Sequence, residues 1–587
     1  MRASRTHWLG SAVVISAALI SACSPPASQQ SNRATQPEAQ TPRQTKTLTI
    51  GVTGTVSALS IAGGSSPVGG WVALTEIHTD GLITADRDAH KQVGRLAEKV
   101  PSLDDGTIAV LPDGRMRVEF GLRKGVTWQD GAPFTAQDLV FSYDIGGPSG
   151  LPTSLNDAME YVSGVEAPDD LTFVIYYKQP YFLGTALGPL MFWPLPQHLL
   201  GDAYARYRES GNLDDILSDP YWTSGYVNTG AFRLTSFDPG SGMDFQAYDG
   251  YYLGRPKIDV VYVRIFNDDS ALESSLLAGA VDLTPELALR QATGVPLKER
   301  WQASGEGTVH VIPNAIRFLE PQWRPTLQME PTVTGSASVR KALRYALDIE
   351  ALSDAVNGGN PQLAAWSILP ATDPLYEVTR DSLREFAYNP EKAQAALRDA
   401  GWTLGSDGKL RNDTDGRPFR TAIWGSLGTD QEIAACAAYW RAVGLDVDEH
   451  VGSAAESRDR AARAQFPGFE LYSGEITTEI GQPAGTAQNR WTGNRNGFED
   501  AEGQRLAAAF QSSLTLSDRK KAMGAINNYV VGNMLILPTF YQAAYMAARK
   551  GVKAYDDING GFGAHVGANG YWGSYYRNAY LWDVDER

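Results

Sequence analysis

The part of the chain that can fold into a globular body is long, and this length limits the possible architectures most strongly. Residues 46–587 have an ordinary globular composition. A single hydrophobic core rarely serves more than about 300 residues. We therefore expect two or three lobes, each with its own core. No second run of 18 or more apolar residues follows the N-terminal segment, so this body is predicted to lack a transmembrane helix.

The N-terminal segment has the features of a bacterial lipoprotein signal. Arg2 and Arg5 precede an apolar run over residues 8–20, which is shorter than the roughly 20 residues that span a bilayer as a helix. Small residues and then Cys23 follow, as at the cleavage site of an exported lipoprotein. We expect residues 1–22 to be removed and Cys23 to carry lipid. An ordinary signal peptide with a chance cysteine is the alternative.

The segment after the signal is expected to be a tether. Residues 23–45 contain no aromatic residue and no aliphatic residue larger than alanine. Such a segment buries too little apolar surface to offset its ordering entropy, so it is predicted to be disordered. A lipid anchor and a tether would place the body on the outer side of the cytoplasmic membrane or in the periplasm.

The formal net charge of −16 argues against nucleic acid and anionic lipid as partners.

The sequence gives little support to catalysis or to metal binding. Cys436 is the only cysteine besides Cys23 and lies in an alanine-rich helical stretch, so we interpret it as a buried small residue and predict no disulfide. No GxSxG, HExxH, CxxC or phosphate-loop motif is present. The adjacent acids at 104–105 and 268–269 are typical of solvated turns, although an exported hydrolase such as a glycosidase stays open. We predict a binding protein with no enzymatic activity, cofactor or metal.

The apolar periodicities predict a mixed α/β architecture without a regular βαβ repeat. Strands are predicted from Thr47 and over 116–122, 171–177, 230–237, 243–248, 260–266 and 281–283. Helices are predicted from residue 136 and over 269–280, 339–355, 390–400, 504–514 and 519–531. Thr135 and Asp138 have the spacing of a capping box at the start of the first of these helices.

Six segments resemble, in order, the motifs of one known family. The clearest is LRKGVTWQDGAPFTAQDLVFS at 122–142. The others are NTGAF at 228–232, YYLGRPK at 251–257, LAGAVD at 277–282, VRKALRYALD at 339–348 and YNPEKAQAALRDAGW at 388–402. Together they resemble the extracytoplasmic solute-binding proteins of ABC importers, in the class that binds dipeptides, oligopeptides and nickel (family 5, class C type). The turns and caps in these motifs specify the fold and are not expected to contact ligand.

The resemblance implies a periplasmic-binding-protein fold, with a bilobal cleft and an extra inserted domain that makes three lobes. The implied boundaries are 46–82, 225–312 and 536–587 for lobe I, 83–224 for lobe II and 313–535 for lobe III. A peptide or other small solute would be enclosed between lobes I and III by hinge closure. The protein, expected to be a monomer, would then deliver it to permease subunits that work with cytoplasmic ATPases. A sensor of the same fold coupled to signalling is the alternative.

The resemblance also implies one main candidate for ligand recognition. In peptide-binding relatives, a lobe III aspartate shortly before a proline pairs with the α-ammonium of the peptide. Counting back from Pro483 places Glu479 at that position, and the tryptophan that often precedes it is Ile476 here. A carboxylate in a closing cleft needs a cation or several N–H donors, so Glu479 predicts an ammonium-bearing or donor-rich ligand. A solvated loop glutamate is the alternative.

Further candidates lie near Glu479 or near the motifs. The ligand-binding candidates of lower rank are Glu475, Thr477, Thr478, Trp491, Tyr226, Asn228 and Tyr541. The aromatic rings among them could pack against a ligand, and core or rim roles are the alternative. Peptide is the ligand class that the family implies. The changes at positions 476 and 479 leave oligosaccharide, polyamine, opine-like and metal-chelate ligands open.

Overall fold

The structure is a computed structural model of the chain. It describes residues 44–585 except 57, 60–69, 71–73, 86–90, 149, 152–158, 160, 190–191, 454, 475 and 556–575, and except the side chains of 314, 458 and 478. Cys23, the predicted signal and the predicted tether therefore lie outside the described residues, as do Glu475 and the side chain of Thr478.

The described strands lie in one long sheet, one four-stranded sheet and three small pairs. Their bounds are β1 Thr47–Thr53, β2 Ile83–Ala85, β3 Gln92–Gly94, β4 Ile108–Val110, β5 Met116–Gly121, β6 Val162–Asp169, β7 Thr172–Tyr177, β8 Phe232–Asp238, β9 Gly242–Ala247, β10 Val260–Phe266, β11 Leu283–Leu289, β12 Gly307–Pro321, β13 Trp402–Leu404, β14 Leu410–Asn412, β15 Arg420–Gly425, β16 Asp446–Val451, β17 Phe469–Ser473, β18 Leu537–Arg549, β19 Val552–Lys553 and β20 Asp583–Val584.

Helices connect and cover these strands. Their bounds are α1 Thr75–His78, α2 Ala136–Gly146, α3 Gln197–Ser210, α4 Asp214–Leu217, α5 Asp269–Leu277, α6 Gln291–Ser304, α7 Thr332–Gly335, α8 Ala337–Tyr345, α9 Ile349–Val356, α10 Pro390–Asp399, α11 Asp430–Ala442, α12 Arg460–Arg463, α13 Ile476–Gly481, α14 Ala501–Gln511 and α15 Leu516–Asn533. None of those described is both long and apolar enough to cross a membrane.

The long sheet has ten strands in the order β16-β15-β17-β12-β18-β11-β1-β10-β9-β8. Two strands at its centre, β12 and β18, are much longer than their neighbours and pair with each other from Gly307 opposite Arg549 to Leu319 opposite Leu537. One end of this pair is flanked by β11 and the other end by β17. The register shifts between Pro313 and Ile316, so a bulge interrupts the ladder near its middle.

Within the described residues, buried apolar side chains form three large clusters and a smaller one. One takes its residues from 82–192, around the four-stranded sheet β4-β5-β7-β6. The second, which we call the 316–541 core, takes them from 316–541. The third combines β1 with residues between 56 and 312 and with C-terminal residues up to Val584. Separate cores are what the chain length requires, and the lobe boundaries stay predictions.

Several sequence-based predictions can be compared with these elements directly. The capping box is present, since the Thr135 N–H donates to the Asp138 carboxylate at 2.9 Å. The single helix predicted over 339–355 is wrong: α8 ends at Tyr345 and α9 begins at Ile349. Asp348 causes this break, because its carboxylate accepts the N–H of Ala351 at 3.0 Å and caps a new helix.

Candidate functional site

The candidate site lies where three parallel strands of the 316–541 core end. β15 runs parallel to both β16 and β17, so the carboxyl ends of all three meet at one edge of the sheet. This is the edge at which open α/β sheets bind ligands. The short helix α13 begins three residues after β17 and carries Glu479, which places the main candidate of the sequence at this edge.

Polar side chains form a row across the four strands next to this edge. His450 on β16 lies opposite Trp424 on β15, and their ring centroids are 4.2 Å apart. Trp424 lies opposite Glu470 on β17, which in turn lies opposite Glu320 on β12. Side chains that are opposite each other in neighbouring strands share one face of a sheet, so the four form one wall. A small cavity of about 30 Å³ lies between Trp424, His450 and Glu470, with room for a water molecule.

The two glutamates of this wall are buried and differ in their partners. Glu470, with 3% of its surface exposed, has two guanidinium groups around it. Arg463 Nη2 donates to Glu470 Oε1 at 3.0 Å, and Arg495 Nε lies 3.4 Å from Glu470 Oε2. Glu320, with 1% exposed, accepts a hydrogen bond on Oε2 from Asn496 Nδ2 at 2.7 Å. Its other oxygen, Oε1, is buried and has no hydrogen-bond donor among the described residues.

Burial and neighbouring charges raise the pKa of Glu320 well above its usual range. Desolvation raises the pKa of Glu320 most, and the charges of Glu479 and Glu470 raise it further. The guanidinium of Arg495 and the amide of Asn496 lower the pKa again, but by less. Glu320 therefore takes up a proton more readily than an ordinary glutamate.

Glu479 is half-buried, and its carboxylate receives no hydrogen bond or ion pair from the described residues. Burial raises its pKa to about 7, the charge of Arg495 opposes this, and the charge of Glu470 adds to it. The carboxylate lies against Gly474 at the end of β17, where a methyl group on the glycine would come within 3.0 Å of Glu479 Oε1. The absence of a side chain at position 474 thus gives the Glu479 carboxylate its place.

Tyr472 of β17 is the aromatic neighbour of the charged groups of Arg495 and Glu479. The guanidinium of Arg495 lies 3.9 Å from the centroid of the Tyr472 ring, an energetically favourable cation–π distance. Burial, and next the charge of Glu479, raise the pKa of the Tyr472 hydroxyl to about 12, so the ring is neutral at physiological pH. The ring also packs edge-on against Phe318 of β12. Tyr472 is thereby fixed beside Glu479.

The loop over residues 482–498 covers the wall and is held by asparagine side chains. Asn494 Nδ2 donates to the backbone oxygen of Glu479 at 2.6 Å, and Asn496 binds Glu320 as described. The loop contains two successive residues with positive φ, Arg490 at 53° and Trp491 at 57°. Such left-handed conformations cost roughly 1–2 kcal/mol each for non-glycine residues, and they occur preferentially at functional sites.

Two of the lower-ranked candidates lie on α13 and in the 482–498 loop. Trp491 is half-buried in the 482–498 loop, and the guanidinium of Arg324 lies 5.7 Å from its ring. Thr477 is half-buried on α13. Thr477 thus lies on the same short helix as Glu479, whereas Trp491 lies in the 482–498 loop against Arg324.

Tyr226 and Asn228 lie elsewhere, within a buried polar network. The Tyr226 hydroxyl lies 3.0 Å from His78 Nδ1 and accepts a hydrogen bond from Asn228 Nδ2 at 2.9 Å. Burial lowers the pKa of His78 to about 3, so its imidazole is neutral. Asn228 also accepts the N–H of Thr229. Both candidates therefore use their polar groups to join segments of the third core.

Tyr541 and Cys436 are core residues. The Tyr541 hydroxyl donates to backbone oxygens of Ser367 and Leu369, each at 2.7 Å, and burial raises its pKa. Cys436 is fully buried on α11, where desolvation raises the pKa of its thiol. A thiol held neutral in this way is not a nucleophile, which agrees with its interpretation as a small core residue.

Sequence reasoning missed Glu320, Glu470, Arg495 and Asn496, although part of the signal is in the sequence. Glu320 and Glu470 are single acids inside apolar strand segments, Phe318-Leu319-Glu320 and Phe469-Glu470-Leu471. A charged residue in such a segment is rarely buried without a partner. Within the described part of the chain, no three His, Cys, Asp or Glu side chains are grouped so that they could hold a metal ion.

Comparison with known proteins gives one family and one fold. The model of the bacterial extracellular solute-binding proteins, family 5 Middle, matches residues 91–498. The oligopeptide-binding protein AppA of Bacillus subtilis is 25% identical over 417 residues, which are 70% of this chain and 68% of that protein. Other curated relatives are matched over about half of their own length.

Solved structures resemble the chain over almost all of its length. The oligopeptide-binding protein of Thermus thermophilus, in complex with a pentapeptide, superposes with a TM-score of 0.66 at 20% identity, over 92% of this chain and 96% of that one. NikZ of Campylobacter jejuni, in complex with Ni(L-His), gives a TM-score of 0.65 at 18% identity, over 91% and 99% of the two chains. At these identities the likeness shows the fold alone, the mixed α/β fold of three-lobed periplasmic binding proteins.

Proposed function

Because the chain belongs to the bacterial extracellular solute-binding proteins of family 5, we propose that it captures a small cationic solute and delivers it to the permease of an ABC importer. The family binds solutes and is not a family of enzymes. Peptides with a free N-terminus are the ligand class that we propose first. A relative named as an oligopeptide-binding protein supports this choice, and so does the chemistry of the site.

One observation carries the choice of a cationic ligand. The Glu479 carboxylate lies half-buried at the carboxyl edge of three strands, with no ion pair to a described cation, and its pKa is raised to about 7. A buried carboxylate without a counter-ion is costly, and an ammonium group of the ligand would supply the missing charge. Polyamines share this group with peptides, whereas neutral oligosaccharides lack it.

The proposed binding mode is closure of two lobes around the ligand. Lobe I would comprise 46–82, 225–312 and 536–587, and lobe III would comprise 313–535. β12 passes from lobe I into lobe III and pairs along this length with β18, and the two strands would act as the hinge. Trp491 and Thr477 would flank Glu479 in the closed site.

We also propose that the protein is attached to the membrane through lipid on Cys23, with residues 23–45 as a tether. It would then work on the outer side of the cytoplasmic membrane or in the periplasm. Replacing Cys23→Ala should move the protein from the membrane fraction to the soluble fraction. Continued recovery in the membrane pellet would refute lipid attachment at this residue.

The ligand class can be tested by calorimetry on the mature protein. A library of peptides is compared with the same peptides acetylated at the N-terminus, together with polyamines, oligosaccharides and nickel chelates. We expect binding of peptides that have a free α-ammonium group, and at least about 30-fold weaker binding of their acetylated forms, which is about 2 kcal/mol.

A matched pair of variants assigns the contact to Glu479. Glu479→Gln should weaken binding of the free peptide by a similar factor and leave the weak binding of the acetylated peptide unchanged. Glu391→Gln changes an exposed glutamate of α10 and should leave both affinities unchanged. Equal binding of free and acetylated peptides would overturn the proposed role of Glu479, and a panel without any ligand would overturn the proposed ligand classes.

A further inference from the structure

One arginine lies where the pairing of β12 with β18 is irregular. The register of the two strands shifts between Pro313 and Ile316, and it shifts again between Arg317 and Phe318. Arg317 therefore lies between two interruptions of the long ladder. Because β12 and β18 form the hinge in the proposed function, Arg317 is placed where that hinge is least regular.

The guanidinium group of Arg317 is bound to a helix that packs on the sheet. Its Nε donates to Glu432 Oε2 in the first turn of α11 at 2.7 Å, and its Nη2 donates to Oε1 of the same carboxylate at 3.1 Å. Both side chains are largely buried, each with 11% exposed. A bidentate pair fixes direction as well as distance, because two planar groups must face each other. The Arg317 side chain is thus fixed relative to α11.

The same guanidinium group also binds the end of β17. Arg317 lies opposite Ser473, the last residue of this strand, and its Nη1 donates to Ser473 Oγ at 3.1 Å. The Ser473 hydroxyl in turn donates to Gln542 Oε1 on β18 at 3.1 Å. One chain of hydrogen bonds therefore links α11 and β17 to both strands of the proposed hinge.

Together these contacts restrain bending of β12. The Thr539 hydroxyl on β18 donates to the Arg317 backbone oxygen at 3.1 Å, so the backbone and the side chain of Arg317 are both held. Bending of β12 at this residue would turn its side chain away from α11 or from the end of β17. Hydrogen bonds weaken steeply at donor angles below about 120°, so the contacts with Glu432 and Ser473 persist only over a narrow range of bending.

We propose that Arg317 is a positioning residue that limits how far the hinge bends. It acts through Glu432, Ser473 and Gln542, and we call these four side chains the hinge brace. The inference deepens the proposed function and rests on it for the closing motion. Arg317 makes no contact with the ligand in this inference. It narrows the range of angles at which the two lobes of the cleft face each other.

A brace of this kind acts on all ligands of the cleft alike. Loss of the brace lowers the fraction of molecules that have the angle required for binding, and the apparent affinity of any ligand falls by that fraction. Peptides with a free N-terminus and their acetylated forms differ only at the group proposed to contact Glu479. Their affinities should therefore fall together, and the preference for the free form should stay.

The range of hinge angles is measured on the empty mature protein by pulsed electron paramagnetic resonance. Spin labels are attached to Glu391→Cys on α10 and Ser236→Cys on β8, which are exposed positions in the two proposed lobes. Cys436 is fully buried, so the labels attach at the new cysteines. Arg317→Lys keeps the positive charge but cannot form the bidentate pair, so we expect a broader distribution of distances between the labels. An unchanged distribution would overturn the inference.

Two further variants separate the brace from a general loss of stability. Arg441→Lys makes the same substitution on α11, where Arg441 pairs with Glu449 at the surface, and it should leave the distribution unchanged. A similar broadening in this control would overturn the inference. Ser473→Ala removes one contact of the brace and keeps the pair between Arg317 and Glu432. It should also broaden the distribution, and it gives the answer if Arg317→Lys does not fold.

Calorimetry with the free and acetylated peptides tests the link to binding. We expect Arg317→Lys to weaken both by the same factor, up to about tenfold, because the lost contacts are hydrogen bonds of a charged group. A loss confined to the free peptide would assign Arg317 to the ammonium contact and overturn the inference, and so would unchanged affinities. If no compound binds, the proposed function fails, and the distance distributions alone decide whether Arg317 restrains the two lobes.

Discussion

Replacing Glu479→Gln should change how the stability of the protein depends on pH. Burial raises the pKa of Glu479 from 4.5 to about 7 in the native state, whereas the unfolded chain keeps the ordinary value. Between these two values the native state binds more protons than the unfolded state. The contribution of Glu479 to the free energy of unfolding must therefore fall as the pH rises through this window, and this contribution must level off above pH 7.

The size of the effect follows from the same two values. Each pH unit between them corresponds to about 1.4 kcal/mol, so ionisation of Glu479 lowers the free energy of unfolding by about 3 kcal/mol between pH 4.5 and 7. Glutamine has nearly the shape of the protonated glutamate and carries no charge at any pH. The variant should match the wild type near pH 4.5 and exceed it by about 3 kcal/mol at pH 8.

Urea unfolding followed by tryptophan fluorescence at pH 4.5, 5.5, 6.5 and 8 measures this difference. All other titrating groups are common to the two proteins, so their contributions cancel when the variant is compared with the wild type. Glu391→Gln, on the exposed surface of α10, is the control and should follow the wild type at every pH. A difference between Glu479→Gln and wild type that stays constant from pH 4.5 to 8 would refute the reasoning.

Three further changes test the packing. Asp348→Ala removes the cap of α9 and should lower the free energy of unfolding by about 1 kcal/mol in urea titrations, and Asp348→Asn should lose much less. Gly468→Ala would place a methyl group 2.4 Å from the backbone oxygen of Ala422, so we expect a loss of about 2 kcal/mol or more, and an unchanged melting temperature would contradict this contact. Phe182→Ala removes a ring whose centroid lies 4.9 Å from that of Phe510 and which packs against two cores. Calorimetry should show a lower melting temperature for this variant, whereas Phe182→Leu should keep most of the wild-type melting temperature.

The fold could be predicted from the sequence because its signals are local. The Asp-Gly turn and the capping box of the 122–142 segment act within a few residues. The six motifs follow one another in the order that is typical of one family. The prediction of a single helix over 339–355 was wrong because it overlooked a local signal, the cap that Asp348 provides for α9. The long strands β12 and β18 were missed because pairing between residues more than 200 positions apart leaves no local pattern.

Sequence reasoning proposed Glu479 and Thr477 on α13, and their role in ligand binding stays a prediction. Glu479 could be placed by its distance from Pro483, but its environment depends on residues far away in sequence. Glu320 meets Glu470 only because β12 and β17 pair, and Asn496 reaches Glu320 across 176 positions. Burial and the number of opposite charges nearby determine the pKa of a carboxyl group, and both quantities are known only after the chain has folded.

If β12 and β18 form the hinge that we propose, the irregular pairing in their middle makes that hinge adjustable on its own. The two strands pair in continuous register from Gly307 to Pro313, and the register shifts again between Arg317 and Phe318, so the irregular part of the ladder lies within residues 313–318. We therefore expect the proposed closing motion to bend or twist the two strands within this stretch. Insertions or substitutions in this short stretch could reset the closing angle of the cleft and leave the wall around Glu479 intact. With the hinge and the site that we propose, the extent of closure and the choice of ligand could change independently during evolution.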